Sequence, residues 1–231
     1  MVGTSGTTNF GIVDKLDEIG KAAKSLGVWF HVDGAYGLAG ILDPRCKKLF
    51  KGVHRADSFI VEPHKWLFTP FDSCALVYRN PTLASQAHTQ HGEYLDTLTD
   101  SGEFNPSDYA YNLTRRARGL PLWFSLATYG VAAYRKAIAE NIDLAHQIAD
   151  VIRSRKGLKL VREPELSIVV FEKEGWKLDD YQKWSDRILK EGLGFVTPSS
   201  HQGKPNLRFA ILNPRTDMKL LTKILDSLDN K

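Results

Sequence analysis

The sequence predicts an α/β chain: part of a large domain with a mainly parallel sheet, followed by a smaller α+β domain. Three observations predict this. Helical and strand-like patterns alternate from Asp14 to Arg79, a long helical pattern follows Leu120, and beyond Lys156 apolar strands alternate with amphipathic helices. The expected division leaves residues 1–128 in the large domain and residues 129–231 as a linker helix and small domain.

In the first unit, Asp14 is placed to cap "KLDEIGKAAKSL", where Leu16, Ile19, Ala23 and Leu26 share a face and Gly27 supplies a left-handed stop. "VWFHV" then reads as a buried strand ending at Asp33-Gly34-Ala35-Tyr36-Gly37, where small residues let the backbone turn or approach something closely. A second strand, "DSFIV", ends at Glu62-Pro63-His64-Lys65, and a third, "CALVYR", stops before Asn80-Pro81. The stretch from Ala84 to Asn112 is polar and weakly periodic, so a long surface excursion is expected, with a mobile loop near 85–108. The helical pattern after Leu120 is broken near Gly130. In the last third, "LSIVVFEK" and "LRFAIL" read as strands, "DDYQKWSDRILKEG" and "TDMKLLTKILDSLD" as helices.

Composition excludes several classes. A chain of 231 residues, 42% hydrophobic and 25% charged, has a soluble globular makeup. Its net charge of +4 is spread among interleaved acids and bases, so no nucleic-acid partner is implied. Cys46 and Cys74 form neither a disulfide framework nor a C-x-x-C site, which fits a reducing cytoplasm. No apolar run nears the roughly 20 residues of a membrane span, and "MVGTSGTTNFG" lacks the pattern of a signal peptide, so no membrane partner is expected.

Two strand ends carry the chemistry. Ligands of open parallel sheets sit outside the carboxyl ends of the strands, where Asp33 and Lys65 are both expected. A desolvated lysine amine attacks carbonyl groups, and a carboxylate across the pocket holds a pyridinium nitrogen protonated. Alone, a strand-end Asp more often caps a turn and a Lys more often reaches solvent. Together, in this order, they describe a site for pyridoxal 5'-phosphate.

Other candidates have plainer readings. His88 and His91 lack a third ligand at metal spacing and read as solvated loop residues. "RRAR" at Arg115 to Arg118 is too short for a basic patch, so ion pairing within the fold is expected. "GTSGTT" lacks the lysine and spacing of a phosphate loop and reads as a turn lining the ring.

"HVDGAYG" followed by "ADSFIVEPHKW" resembles the pyridoxal-phosphate-dependent group II amino acid decarboxylases, nearest the aromatic-L-amino-acid decarboxylase branch. "GTT" at Gly6 to Thr8, "FDSCALVYR", "EYLD", "LTRRARGLPLWF" and "LRFAILNPRT" extend the likeness over nearly the whole chain. The resemblance implies a fold-type I transferase-like architecture and decarboxylation of an L-amino acid, aromatic or related, to the amine and carbon dioxide. It implies that Lys65 binds the cofactor as an imine, Asp33 pairs with the pyridine nitrogen, Ala35 packs on the ring and Thr8 lies close to it. By the same likeness His64 lies near the phosphate and reacting centre, and Tyr94 of the polar loop protonates the carbanion. Alternatives are a related oxidative deaminase or aldehyde synthase, and a truncated subunit without catalysis.

Two departures from the family pattern follow. Glu62 stands where the aromatic branch usually has Asn, which places an extra negative charge near the phosphate. The segments that the family places ahead of "GTSGTT", including its phosphate-binding loop, have no counterpart here. The chain is therefore expected to be a C-terminal fragment, from a truncated gene, a fragmentary reading frame or a split enzyme whose missing part another chain supplies, with a homodimer in the complete enzyme. The substrate's side chain is not specified by these residues.

Overall fold

The computed structural model describes residues 1–88 and 105–229. Its front part is a four-stranded sheet in the order β1-β2-β3-β4, formed by Val2–Thr4, His31–Asp33, Ser58–Val61 and Ala75–Tyr78. The pairs β1–β2 and β2–β3 are parallel, and β4 runs antiparallel along β3. Thr4, Asp33 and Ile60 share one register row, so the carboxyl ends of the three parallel strands open on the same edge. That edge is where an α/β sheet offers its ligand site.

Helix α1, Leu16–Leu26, crosses from β1 to β2 and buries Leu16 and Ala23 against Phe30, Val32 and Ala56. Gly27 ends it with φ 64°, the left-handed stop that the sequence predicts. Asp14 does not cap it: its Oδ2 accepts from the Thr4 N–H at 2.8 Å, and Lys15 holds the cap position without a side-chain bond. The carboxylate braces strand β1 instead.

From β2 to β3 the chain makes three short 3-10 turns, Gly37–Leu42, Pro44–Cys46 and Val53–Arg55. Helix α2, Pro81–His88, takes up the start of the expected polar excursion, so residues 85–88 are helical rather than loop. Another 3-10 turn spans Pro106–Tyr109. The centre of that excursion, with Tyr94 and His91, lies outside the described residues.

Helix α3, Leu120–Ser154, is broken at Gly130, whose φ of 72° and ψ of 161° are open to glycine at no steric cost. Before the break it leaves Trp123, Phe124 and Tyr129 exposed; after it, Ile138, Ile142, Ala145, Ile148 and Ile152 are buried. A second, antiparallel sheet follows, ordered β5-β6-β8-β7, from Leu158–Leu160, Ile168–Lys173, Ser199–His201 and Lys204–Ala210. Helices α4, Leu178–Lys190, and α5, Met218–Asp226, cover one face.

The apolar run along β6 explains how the two sheets meet. Val169 and Phe171 join Trp184, Ile188, Leu221 and Leu225 in the core beneath α4 and α5. Ile168 and Val170 face the other way and pack with Tyr36, Trp66, Ile138 and Ile142. A strand buried on both sides reads as a continuous apolar run instead of an alternating one. Tyr36 and Trp66 flank the candidate chemistry at Asp33 and Lys65, so this second core anchors both strand ends.

Candidate functional site

At the edge shared by β2 and β3, the Glu62 N–H donates to the Ala35 carbonyl at 3.0 Å, tying the turn after Asp33 to the turn before Lys65. The Asp33 carboxylate is exposed, and its Oδ1 accepts from the Ala35 N–H at 3.1 Å in a short side-chain turn. That leaves Oδ2 without a described partner. Ala35 itself is half-buried between these contacts. Ser5, just after β1, donates its N–H to the Asp33 carbonyl at 2.7 Å.

Lys65 is one residue from Trp66, which is fully buried, stacks on Tyr36 with ring centroids 5.2 Å apart and donates its indole N–H to Asn141 Oδ1 at 3.0 Å. The backbone at Lys65 is thus fixed by the core while its amine reaches the edge. The side chain is 37% exposed and its Nζ lies 2.8 Å from Glu62 Oε2. The expectation of a desolvated lysine therefore does not hold in this structure: the amine keeps contact with solvent and faces a counter-charge.

His64 meets the same carboxylate, with Nε2 3.2 Å from Glu62 Oε2. Its other nitrogen, Nδ1, lies 2.9 Å from the Ser73 N and 2.6 Å from the Ser73 O. Phe71 packs edge-on against the ring at 5.0 Å. Both ring nitrogens are thus engaged within the chain, Nε2 by Glu62 and Nδ1 by Ser73.

The Glu62 side chain is 22% exposed and faces Lys65 and His64. Its bridging of Lys65 and His64 was not legible beforehand. The available signal was the spacing of three between Glu62 and Lys65, which needs a turn that Pro63 obscures; the bond from the Lys65 N–H to the Glu62 carbonyl at 2.9 Å closes that turn.

Thr8 is exposed in the turn after β1, and its carbonyl accepts from Arg208 of β8. The glycines of "GTSGTT" serve a close crossing: a Cβ on Gly6, where φ is 97°, would sit 2.5 Å from the Gly37 Cα. Two strand-end turns can cross only where neither carries a side chain. Next to them Ser5 is fully buried, and its hydroxyl has no partner among the described residues.

His31, two residues before Asp33, has Nδ1 2.8 Å from Ser58 Oγ, which also accepts from Trp29 Nε1 at 2.8 Å. Burial pushes the His31 imidazole below its usual pKa, and the nearby Asp33 charge works against that shift. Arg116 and Arg118 both pair with Asp72, at 2.7 and 3.0 Å, and hold its carboxyl below the usual range. Arg115 donates to the Pro106 carbonyl at 2.6 Å, so the "RRAR" stretch makes the structural contacts expected of it. His88 ends α2 with Nε2 3.4 Å from the Tyr78 hydroxyl, a helical position in place of the expected loop. Among the described residues no three His, Cys, Asp or Glu side chains gather to hold a metal ion.

A cavity of about 550 Å³, lined by Leu38, Ile41, Leu42, Phe59, Val61 and Leu67, contains neither Asp33 nor Lys65. Concavity alone would select this apolar space as the site. The titratable groups instead converge at the strand edge.

Comparison with known proteins bears on this arrangement. An aromatic-L-amino-acid decarboxylase from Bacillus atrophaeus is 33% identical over 97% of this chain and 49% of its own length. A phenylacetaldehyde synthase from Petunia hybrida is 31% identical over 92% of the chain and 45% of its own length. The crystal structure of Oryza sativa TDC with PLP and tryptamine superposes with a TM-score of 0.88 at 27% identity, over 98% of this chain and 50% of that one. The chain thus spans about half the length of the curated relatives it matches. Residues 1–174 match the pyridoxal-dependent decarboxylase conserved domain, and the chain belongs to that family.

Proposed function

We propose that the chain carries the lysine-bearing half of a pyridoxal phosphate-dependent decarboxylase acting on an L-amino acid, aromatic or related. The observation that carries this reading is the placement of Asp33 and Lys65 at the ends of adjacent parallel strands, joined by the bond from Glu62 to Ala35. The donor set fits the cofactor: a primary amine for its aldehyde, and a carboxylate oxygen left open for its ring nitrogen.

When bound, pyridoxal phosphate supplies an electron sink for the pair left behind as carbon dioxide departs. Lys65 would hold the cofactor aldehyde through Nζ. Asp33 would hold a proton on the ring nitrogen, which would keep the sink effective. Ala35 offers a small methyl surface against the ring, and Thr8 and His64 complete the binding edge. Tyr94, outside the described residues, is assigned delivery of a proton to the substrate carbon.

The partner segment and a second subunit of a homodimer are part of this proposal. The exposed side chains of Trp123, Phe124 and Tyr129 support it, since clustered apolar exposure marks a contact surface. Cys46 and Cys74 are both free, which supports a reducing, cytoplasmic setting. No helix among the described residues is long and apolar enough to cross a membrane.

The test is a titration with pyridoxal phosphate followed by visible absorbance. The native chain should develop the band of a lysine-bound cofactor and Lys65→Ala should not; equal bands in both would remove the assignment. The resemblance to a phenylacetaldehyde synthase motivates a second reading, oxidative conversion to an aldehyde. Assays with aromatic L-amino acids separate the two, because simple decarboxylation releases carbon dioxide without consuming oxygen.

A further inference from the structure

Glu62 is the charged group nearest the reactive amine, and the cofactor chemistry leaves it without a task. Its backbone is fixed on both sides. The Glu62 N–H is bonded to Ala35, its carbonyl accepts from Lys65, and Pro63 between them restricts the turn. One oxygen, Oε2, lies 2.8 Å from Lys65 Nζ and 3.2 Å from His64 Nε2. His64 is in turn fastened to Ser73. A lysine side chain has four rotatable bonds and a flexible, strongly hydrated head. Here that head is held at one place on the strand edge by a carboxylate that is itself braced.

We infer that Glu62 is a positioning residue for Lys65, a docking point that holds the free lysine head beside the cofactor edge whenever its nitrogen is not covalently engaged. This rests on the proposed role of Lys65 as the cofactor-binding lysine. A transfer reaction that displaces this lysine in each cycle must recover it afterwards, and a flexible chain left free would lose orientation. Glu62 confines the amine within a hydrogen-bond length of one oxygen, while His64 keeps that oxygen from turning away. No bond is made or broken in docking.

The test is competitive labelling of lysines in the native chain with trace acetic anhydride at fixed pH, read peptide by peptide. Lys48 and Lys219, both exposed and in no ion pair among the described residues, serve as internal references. Docked on Glu62, Lys65 should label slowly, and added salt should speed it relative to the references as the pair is screened. Glu62→Gln should raise Lys65 labelling about threefold, the size expected of a partly exposed ion pair, and abolish the salt effect. Glu62→Asp should restore part of the protection. A merely structural role for Glu62 would lower unfolding stability without altering this selectivity.

If Glu62→Gln does not fold, the salt response of the native chain alone decides. Lys65 labelling that is insensitive to salt, or equal in native and Glu62→Gln chains, overturns docking. Pyridoxal phosphate with borohydride, applied to the same preparations, keeps the two failures apart. A pyridoxyl label on another lysine removes the reading on which the inference rests. A label on Lys65 together with unchanged acetylation removes the role of Glu62 alone.

Discussion

Gly37→Ala should be among the most damaging single-methyl changes in the chain, although it adds no charge and removes no bond. Gly37 lies four residues beyond Asp33, where the turn after β2 crosses the turn after β1. A Cβ built there falls inside contact distance of the Ser5 carbonyl oxygen, 2.6 Å from the Gly6 Cα and 2.9 Å from Leu166 Cδ1. Two of those neighbours are backbone, so relief requires the two strand-end turns to separate by the better part of an ångström. Overpacking of this kind costs about 3 kcal/mol. Against a typical total of roughly 5–15 kcal/mol, that is a large loss. With a urea slope of about 3 kcal/mol per molar for a chain of this size, the midpoint should fall by about 1 M. Gly119→Ala is the control: nothing lies within 4 Å of its Cβ, and its midpoint should stay close to that of the native chain. A Gly37→Ala protein that unfolds at the native midpoint with the native slope would refute the crossing as described.

Three further predictions follow from neighbouring contacts. Asp33→Asn in the assembled enzyme should retain pyridoxyl labelling of Lys65 but lose kcat by about 100-fold or more, measured as carbon dioxide release, because the ring nitrogen loses its charged partner. Asn141→Ala should cost about 1–3 kcal/mol in urea unfolding, since the buried Trp66 indole N–H is left without its acceptor. Asp17 pairs with Lys21 and Arg55, hydrogen bonds that lower its pKa to about 2. A folded-state pKa below the unfolded one means its contribution is fully present above about pH 4 and is lost as the pH falls through about 2. Asp17→Asn should therefore remove part of the acid dependence in that window, seen in thermal unfolding at stepped pH.

What the sequence disclosed depended on whether the governing interaction was local. Gly27 and Gly130 announced their backbone breaks because positive φ favours glycine, and "LSIVVFEK" announced a strand by its apolar run. Strand β1 was not legible, because the one residue it buries is Gly3, which has no apolar side chain to show a pattern; a Cβ there would meet Leu16 Cδ2 at 2.9 Å. Asp14 looked like a helix cap by its position, but a bond to Thr4, ten residues away in sequence, won.

At the candidate site the same division holds. Asp33 and Lys65 could be singled out because each ends an apolar run in a cluster of small or polar residues. Their union through the bond from Glu62 to Ala35 required the parallel pairing of β2 and β3, which no local pattern encodes. The ion pair at Lys65 was hidden for the reverse reason: Pro63 suppresses the helical reading in which a spacing of three would be noticed. Ser73 could not be matched to His64 from sequence, since the bond closes a nine-residue loop through backbone atoms.

The central claim is that Lys65 is the lysine that binds the cofactor, and reduction of the complex with borohydride tests it most directly. The protein is incubated with pyridoxal phosphate, reduced, digested and mapped by mass spectrometry. The account predicts a pyridoxyl group predominantly on Lys65, and its loss in Lys65→Ala. A label concentrated on a different lysine, or spread evenly over exposed lysines such as Lys136 and Lys183, would contradict it.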